Sequence, residues 1–223
     1  MGQDVVRTNH YPPEFPSDWF QGGMAHPSYQ RAAPSLHNGR LLLTPDNPGA
    51  QAPRERLMRT LQEAGLLGAA LPGAAAAYSS GPRLFELIAF TGCAVQLNGA
   101  DEDAGPRVQV EGPFSTPTRR SGRNARPPRC PRCRRPLADW VQQLNVARAD
   151  TPQHDAAERL RCRSCDTEAP AWTWAWGRHA GYGSIFVSLE PVFPGEGRPL
   201  PTLFNVLEAI ELGPWHHFYV QDR

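Results

Sequence analysis

Four of the five cysteines form two Cys-x-x-Cys pairs, and this spacing constrains the fold of the chain more than any other feature. The pairs are Cys130-Pro131-Arg132-Cys133 and Cys162-Arg163-Ser164-Cys165. Each pair can place two sulfurs on one tight turn, where both thiolates reach the same metal ion at about 2.3 Å. Two such turns complete a tetrahedral set of ligands. The sequence therefore predicts one metal site, with Cys130, Cys133, Cys162 and Cys165 as its ligands.

The paired turns resemble those of the zinc ribbon, and the resemblance covers residues 128–177. It implies one structural Zn²⁺ in a closed site that supports folding and does not activate water. Two features differ from the usual ribbon: Arg134 and Asp166 stand where Gly is common, and 28 residues separate the two pairs. A helix at about residues 139–146 or 152–160 would account for the long gap. Iron, an iron–sulfur cluster, a redox dithiol and a site without metal are the alternatives.

The basic residues concentrate beside the first cysteine pair. Residues 107–135 contain nine arginines and a single acidic residue, Glu111. One interpretation is an arm that contacts phosphate groups through residues 119–135. The other is a solvated loop that offsets the charge of the thiolates and of the acidic flanks. The candidate contact residues are Arg119, Arg120, Arg123, Arg126 and Arg129.

A row of tryptophans follows the second cysteine pair. Trp172, Trp174 and Trp176 alternate with smaller residues, so in a strand the three indoles would share one face. Such a face could stack bases or bind a partner. It could equally pack as the seam between the metal region and the rest of the core. These three residues are therefore candidates for a partner contact, with internal packing as the alternative.

The remaining composition predicts a globular protein with much irregular structure, because the chain of 223 residues contains 24 Pro and 20 Gly. A net charge of +1 gives no global attraction to nucleic acid or to anionic membranes. No apolar stretch approaches the roughly 18 residues that a membrane-spanning helix needs. The first residues lack the basic start and apolar run of a secretory signal. We expect a cytoplasmic protein without a membrane partner.

Hydrophobic periodicity predicts an α+β fold: a small mixed sheet with helices on one face, and a long irregular N-terminal arm. The arm spans residues 1–52, and the core spans residues 53–223 with the zinc-ribbon module of residues 128–177 inserted. We expect helices at 53–67 and 202–212, and strands at 108–111, 184–193 and 215–221. Residues 84–97 are expected to form either a bulged strand or a short helix followed by a strand. The last strand, helix and strand favour a βαβ unit. Residues 112–128 are predicted to be a loop.

These features favour a non-enzymatic, zinc-stabilised interaction, adaptor or assembly protein whose partner is another protein. The first alternative is a nucleic-acid-binding protein that uses the arginines of residues 119–135. The second alternative is an enzyme with an unrecognised active site, for which Cys93, His216 and His217 would be the residues to inspect. None of the common catalytic motifs is present in the sequence.

Overall fold

A computed structural model describes residues 39–73, 76–91, 106–150 and 158–221, with the backbone alone at residues 146–150. All of these residues belong to one unit of the chain, residues 35–223. Among them, no helix is long and apolar enough to cross a membrane. The predicted arm up to residue 38, and Cys93, lie outside the described residues.

Six strands form the main sheet, in which every neighbouring pair is antiparallel. The strands are β1 (Gly39–Pro45), β2 (Leu67–Ala70), β3 (Ala77–Ser80), β5 (Arg107–Glu111), β10 (Phe186–Glu190) and β12 (Trp215–Gln221). Their order across the sheet is β12-β1-β10-β5-β3-β2. Because β10 and β12 both pair antiparallel with β1, they run in the same direction with β1 between them.

Three helices pack on one face of this sheet: α1 (Arg54–Glu63), α2 (Leu84–Leu87) and α4 (Pro201–Glu208). In α1, Leu57 and Leu61 are one turn apart and fully buried, and Leu203 and Leu207 repeat the spacing in α4. These leucines share one buried cluster with alternate residues of the strands, such as Leu41. A two-stranded sheet of β4 (Ile88–Phe90) and β11 (Gly197–Pro199) adjoins the same cluster.

The other face of the sheet is covered by a second pair of strands, β6 (Thr118–Ser121) and β9 (Ala180–Gly183). Alternate residues of the main sheet, among them Leu42 and Phe218, form a separate buried cluster on this face. The contact with β9 is close, because a methyl group at Gly181 would lie 2.6 Å from the ring of Phe218. Only glycine fits at this position without displacing that ring.

The cysteine pairs lie in a third region that has its own buried cluster. It contains α3 (Trp140–Asp150) and a hairpin of β7 (Arg159–Arg161) and β8 (Glu168–Pro170). Leu144 of α3 and Leu160 of β7 are fully buried here, beside Cys130. Ala180 and Tyr182 of β9 belong to this cluster, whereas Gly181 faces the main sheet. Strand β9 therefore joins this third region to the sheet; the region is called the metal region below, because its four cysteines could hold a metal ion.

The structure confirms the α+β class with helices on one face of the sheet. The apolar run that begins at Leu84 is a short helix followed by a strand, one of the two alternatives drawn from the sequence. In the long gap, α3 lies at the first of the two predicted places, whereas residues 152–157 of the second place lie outside the described residues. The strands at the predicted βαβ end, β10 and β12, are parallel but are not neighbours, since β1 lies between them.

Several boundaries differ from the sequence-based prediction. The helix predicted at 202–212 is α4, which ends at Glu208, and the strand predicted at 184–193 is the shorter β10. Residues 39–45 were predicted as arm, but they form β1 inside the sheet. Residues 118–121 were predicted as loop, but they form β6. The first helix ends at Glu63 and not at residue 67, because Gly65 turns the chain in the left-handed region at φ 76°.

Candidate metal centre

The two cysteine pairs lie on turns with the same hydrogen-bond pattern. The N–H of Cys130 donates to the carbonyl of Arg135 at 2.9 Å, and the N–H of Arg134 donates to the carbonyl of Cys130 at 3.0 Å. In the second turn, Cys162 donates to Thr167 and Asp166 donates to Cys162, both at 2.9 Å. Each turn thus points the sulfurs of its first and fourth residues to the same side.

Both turns place the residue after the second cysteine in the left-handed region, at φ 63° for Arg134 and 59° for Asp166. Glycine is favoured there because it has no Cβ, which explains why the usual ribbon has Gly at this position. In this chain Asp166 is held by Arg161, whose guanidinium donates to both carboxylate oxygens at 2.7 and 2.8 Å. The carbonyl of Arg134 accepts from the Nη1 of Arg129 at 3.3 Å.

The four sulfurs converge on one point. The Sγ atoms of Cys130 and Cys165 are 3.6 Å apart, and so are those of Cys133 and Cys162. All four lie within 4.8 Å of one another. A tetrahedron with metal–sulfur bonds of about 2.3 Å has sulfur–sulfur edges of about 3.8 Å, so the set fits a four-coordinate ion. A disulfide would need sulfurs about 2.05 Å apart. The predicted ligand residues are therefore brought together as thiols that could hold one metal ion.

The sulfurs differ in how easily they ionise. Hydrogen bonds with the side chain and the backbone N–H of Thr167 lower the pKa of Cys165 to about 6. The backbone hydrogen bond with Arg135 lowers the pKa of Cys133, but burial and the neighbouring sulfurs outweigh it and raise that pKa to about 11. Closely spaced thiols resist ionising together, whereas a bound cation would favour the thiolate at every position.

A layer of polar contacts holds the second turn against α3. The side-chain N–H of Gln143 donates to the backbone carbonyl of Arg161 at 3.1 Å. The side-chain oxygen of Gln143 accepts from the backbone N–H of Arg161 at 2.8 Å. Gln143 also donates to Asp139 at 3.1 Å, and Asp139 accepts from Arg163 at 2.9 Å. Sequence reasoning missed Gln143, since only the tertiary fold brings α3 to the hairpin. It also missed Thr167, although a hydroxyl two residues after Cys165 in the same turn is placed to hydrogen-bond with that sulfur.

The tryptophan row does not form a strand. Residues 171–173 form a single 3-10 turn, so the three indoles do not share a face. Trp174 and Trp176 are buried in the cluster that contains Cys130, while Trp172 is half-buried at its edge. The indole N–H of Trp176 donates to the carbonyl of Ala171 at 2.8 Å. Two of the three tryptophans therefore pack inside the metal region.

The arginines of residues 119–135 divide into two groups. Arg119 and Arg120 are largely buried in ion pairs, Arg119 with Glu158 at 3.7 Å and Arg120 with Glu111 at 2.5 Å. Their guanidinium groups also lie over the rings of Trp140 and Phe186, respectively. The remaining arginines of the segment are exposed: Arg123, Arg126, Arg129, Arg132, Arg134 and Arg135.

An open pocket of about 420 Å³ lies beside the second turn. It is lined by residues of α3 and of the hairpin, among them Asp139, Arg159 and Glu168. The charged groups are paired with one another, since Arg159 contacts Glu168 at 2.7 Å and Asp139 contacts Arg163. The pocket is thus a cleft between two structural elements whose charges are already neutralised.

The two histidines of β12 lie apart from the cysteines. His216 is partly exposed, and its Nδ1 lies 2.8 Å from a carboxylate oxygen of Asp46. His217 packs between the rings of Phe204 and Tyr219. Burial lowers its pKa, and so do the nearby charges of Arg178 and Arg198. As neighbours in β12, the two side chains point to opposite faces of the sheet.

Among the described residues, the four cysteines form the best-supported candidate for a functional site. It combines four ligand atoms, two matching turns and a packed second layer of residues. Comparison with protein-family models, with curated proteins and with solved structures finds no match to this chain.

Proposed function

We propose that this chain is a zinc-stabilised, non-enzymatic interaction protein. The observation that carries the proposal is the convergence of four cysteine sulfurs from two matching turns. Four thiolates fill the coordination sphere of a tetrahedral ion, so no position is left for water or substrate. The role of such an ion is to hold the fold together.

Zinc is the metal that best suits this donor set. Thiolates are soft ligands, and a tetrahedral set of four favours Zn²⁺ or iron over the oxygen-seeking Mg²⁺ and Ca²⁺. The left-handed residue after the second cysteine of each turn supports the resemblance to the zinc ribbon. We therefore assign residues 128–177 as a ribbon-type module within the core.

The metal would act by closing a long loop. The two turns are separated by 28 residues, and the connection between them includes α3. Without the ion, the buried cysteines and Trp174 must be held by packing alone, in a cluster smaller than the one under the main sheet. Zinc binding offsets the entropy of bringing the turns together. It thereby fixes the exposed surface of the first turn, on which a partner would bind.

Metal analysis tests the proposal directly. Protein purified in reducing buffer should contain about one zinc per chain by mass spectrometry, because the four cysteines of a chain together form one site. Replacing Cys130 or Cys162 with Ser should abolish stoichiometric binding. A Ser164→Ala variant is the matched control, since Ser164 lies in the second turn but is not a ligand. Protein that holds no metal and does not respond to chelators would contradict the proposal, and visible thiolate absorption bands would identify iron instead.

A further inference from the structure

We propose that six exposed arginines beside the metal centre form a binding surface for the phosphate backbone of nucleic acid. This inference rests on the proposed function, because it requires a metal centre that holds the first cysteine turn. The surface, called the arginine surface below, consists of Arg123, Arg126, Arg129, Arg132, Arg134 and Arg135.

The first step is that no ion pair with a described residue neutralises the charge of these arginines. Within the described part of the chain, none of the six forms an ion pair with a carboxylate. The nearby carboxylates are already paired with other arginines. Their pairs are Glu111 with Arg120, Asp139 with Arg163, Glu158 with Arg119, Asp166 with Arg161 and Glu168 with Arg159.

The second step is that the six arginines lie on two backbone segments that are fixed to the same region. Four of them lie on the turn of Cys130 and Cys133, which is closed by the pairing of Arg129 with Pro136. The loop that carries Arg123 and Arg126 is attached to the same region, because Ala125 packs against the buried cluster of the metal site. The N–H of Arg123 is fixed by the carbonyl of Gln221 at 3.0 Å. The arginine surface is thus built on an ordered backbone.

The third step is the balance of charge. Four thiolates around a divalent ion carry a formal charge of about −2, which offsets only part of the six positive charges. Phosphodiesters are the complementary ligand, since guanidinium groups form two parallel hydrogen bonds with phosphate oxygens. Arg119 and Arg120 stay outside this surface because they are used in internal ion pairs.

The structure favours nucleic acid over a protein partner on this face. A protein interface commonly has an apolar or aromatic centre, and the tryptophans that could provide one are largely buried inside the metal region. The exposed face of the first turn presents arginine and proline. Such a surface contacts the backbone and predicts binding with little dependence on base sequence.

Fluorescence anisotropy with labelled oligonucleotides tests the inference on the full chain. Single-stranded RNA, single-stranded DNA and duplex DNA of 20 nucleotides would be titrated at 50 to 200 mM salt. Six phosphate contacts predict a slope of about −4 in log K against log salt for single strands, or about a 300-fold loss across this range. The three probes identify which nucleic acid presents its phosphates best.

Two double variants provide the matched comparison. Arg132→Gln with Arg135→Gln removes two charges from the arginine surface, and should reduce the magnitude of the slope by about 1.4 and the affinity by about 25-fold at 100 mM salt. Arg59→Gln with Arg198→Gln removes two exposed charges elsewhere and should leave both values unchanged. An equal loss of oligonucleotide affinity in the two double variants would overturn the inference. It would also be overturned if the unmodified protein bound polyglutamate as tightly as it binds the oligonucleotides.

Metal content measured on the same samples separates this inference from the proposed function. Zinc at one per chain without oligonucleotide binding at 50 mM salt overturns the arginine surface alone. Oligonucleotide binding that chelation weakens supports both proposals. Binding that is equally strong in metal-free protein overturns the dependence of the arginine surface on the metal centre.

Discussion

At the scale of the residue, the two cysteine turns require the same left-handed backbone conformation but place different side chains in it. Arg134 and Asp166 both occupy the left-handed region, where a residue with a Cβ is strained. Asp166 recovers part of this cost through the two hydrogen bonds from Arg161. The side chain of Arg134 is exposed and forms no ion pair with the described residues. The strain of the first turn is therefore not compensated by its own side chain.

Replacing Arg134 with Gly should raise the free energy of unfolding by about 0.5 to 1 kcal/mol. Relief of left-handed strain, about 1 to 2 kcal/mol, exceeds the backbone entropy that glycine costs, about 0.5 to 1 kcal/mol. Asp166→Gly is the matched comparison and should gain less, because it also removes the ion pair with Arg161. Chemical denaturation of metal-loaded protein measures both values. A loss of stability in Arg134→Gly would contradict this explanation.

At the scale of the element, one buried face holds α3 against the region of the cysteines. Leu144 is fully buried in the cluster around the cysteines, whereas Val141 on the same helix is 45% exposed. Gln143 links the helix to the hairpin through both of its amide atoms. The helix thus contributes both apolar packing and polar contacts to the second cysteine turn.

Leu144→Ala should destabilise the metal region by about 2 to 5 kcal/mol, because it opens a cavity in a small core. Val141→Ala, the control on the exposed side of α3, should change stability by less than about 0.5 kcal/mol. Hydrogen exchange followed by mass spectrometry distinguishes the regions: protection should fall around residues 128–177 and persist in β10. Equal loss of protection in both regions would show that they unfold as one cooperative unit.

At the scale of the whole molecule, the metal region and the main sheet meet along β6 and β9. Residues of β9 alternate between the two, with Tyr182 in the cysteine cluster and Gly181 against Phe218. The loop after β6 is equally close to the sheet, because a methyl group at Gly122 would collide with the carbonyl group of Gln221. These contacts couple the metal region to β12.

Gly122→Ala should lower the free energy of unfolding by about 1 to 3 kcal/mol, since the collision is with backbone atoms that cannot rotate away. Gly49→Ala is the control, because a methyl group there would meet only the side chain of Asn47 at 3.6 Å. Thermal and chemical unfolding would measure both variants. An unchanged stability in Gly122→Ala would show that the segment moves freely relative to β12.

The sequence by itself determined which four cysteines come together as a possible metal site, the α+β class and most of the longer elements. Those features depend on local sequence: two sulfurs per turn, leucines one turn apart in α1 and α4, and the run of aromatic and β-branched residues in β12. The sequence pattern also placed a helix in the gap between the cysteine pairs. Each of these predictions needed only residues that are neighbours along the chain.

The tertiary structure decided which polar and aromatic residues are exposed and therefore able to contact a partner. Arg119 and Arg126 look alike in sequence, but one is buried beside Glu158 and the other is exposed. Likewise, Trp174 is buried because α3 and β9 pack around it. The place of β1 inside the sheet also depends on pairing with β10 and β12, more than 140 residues further along the chain. Burial and pairing across such distances depend on how the elements pack together, and no local spacing encodes that packing.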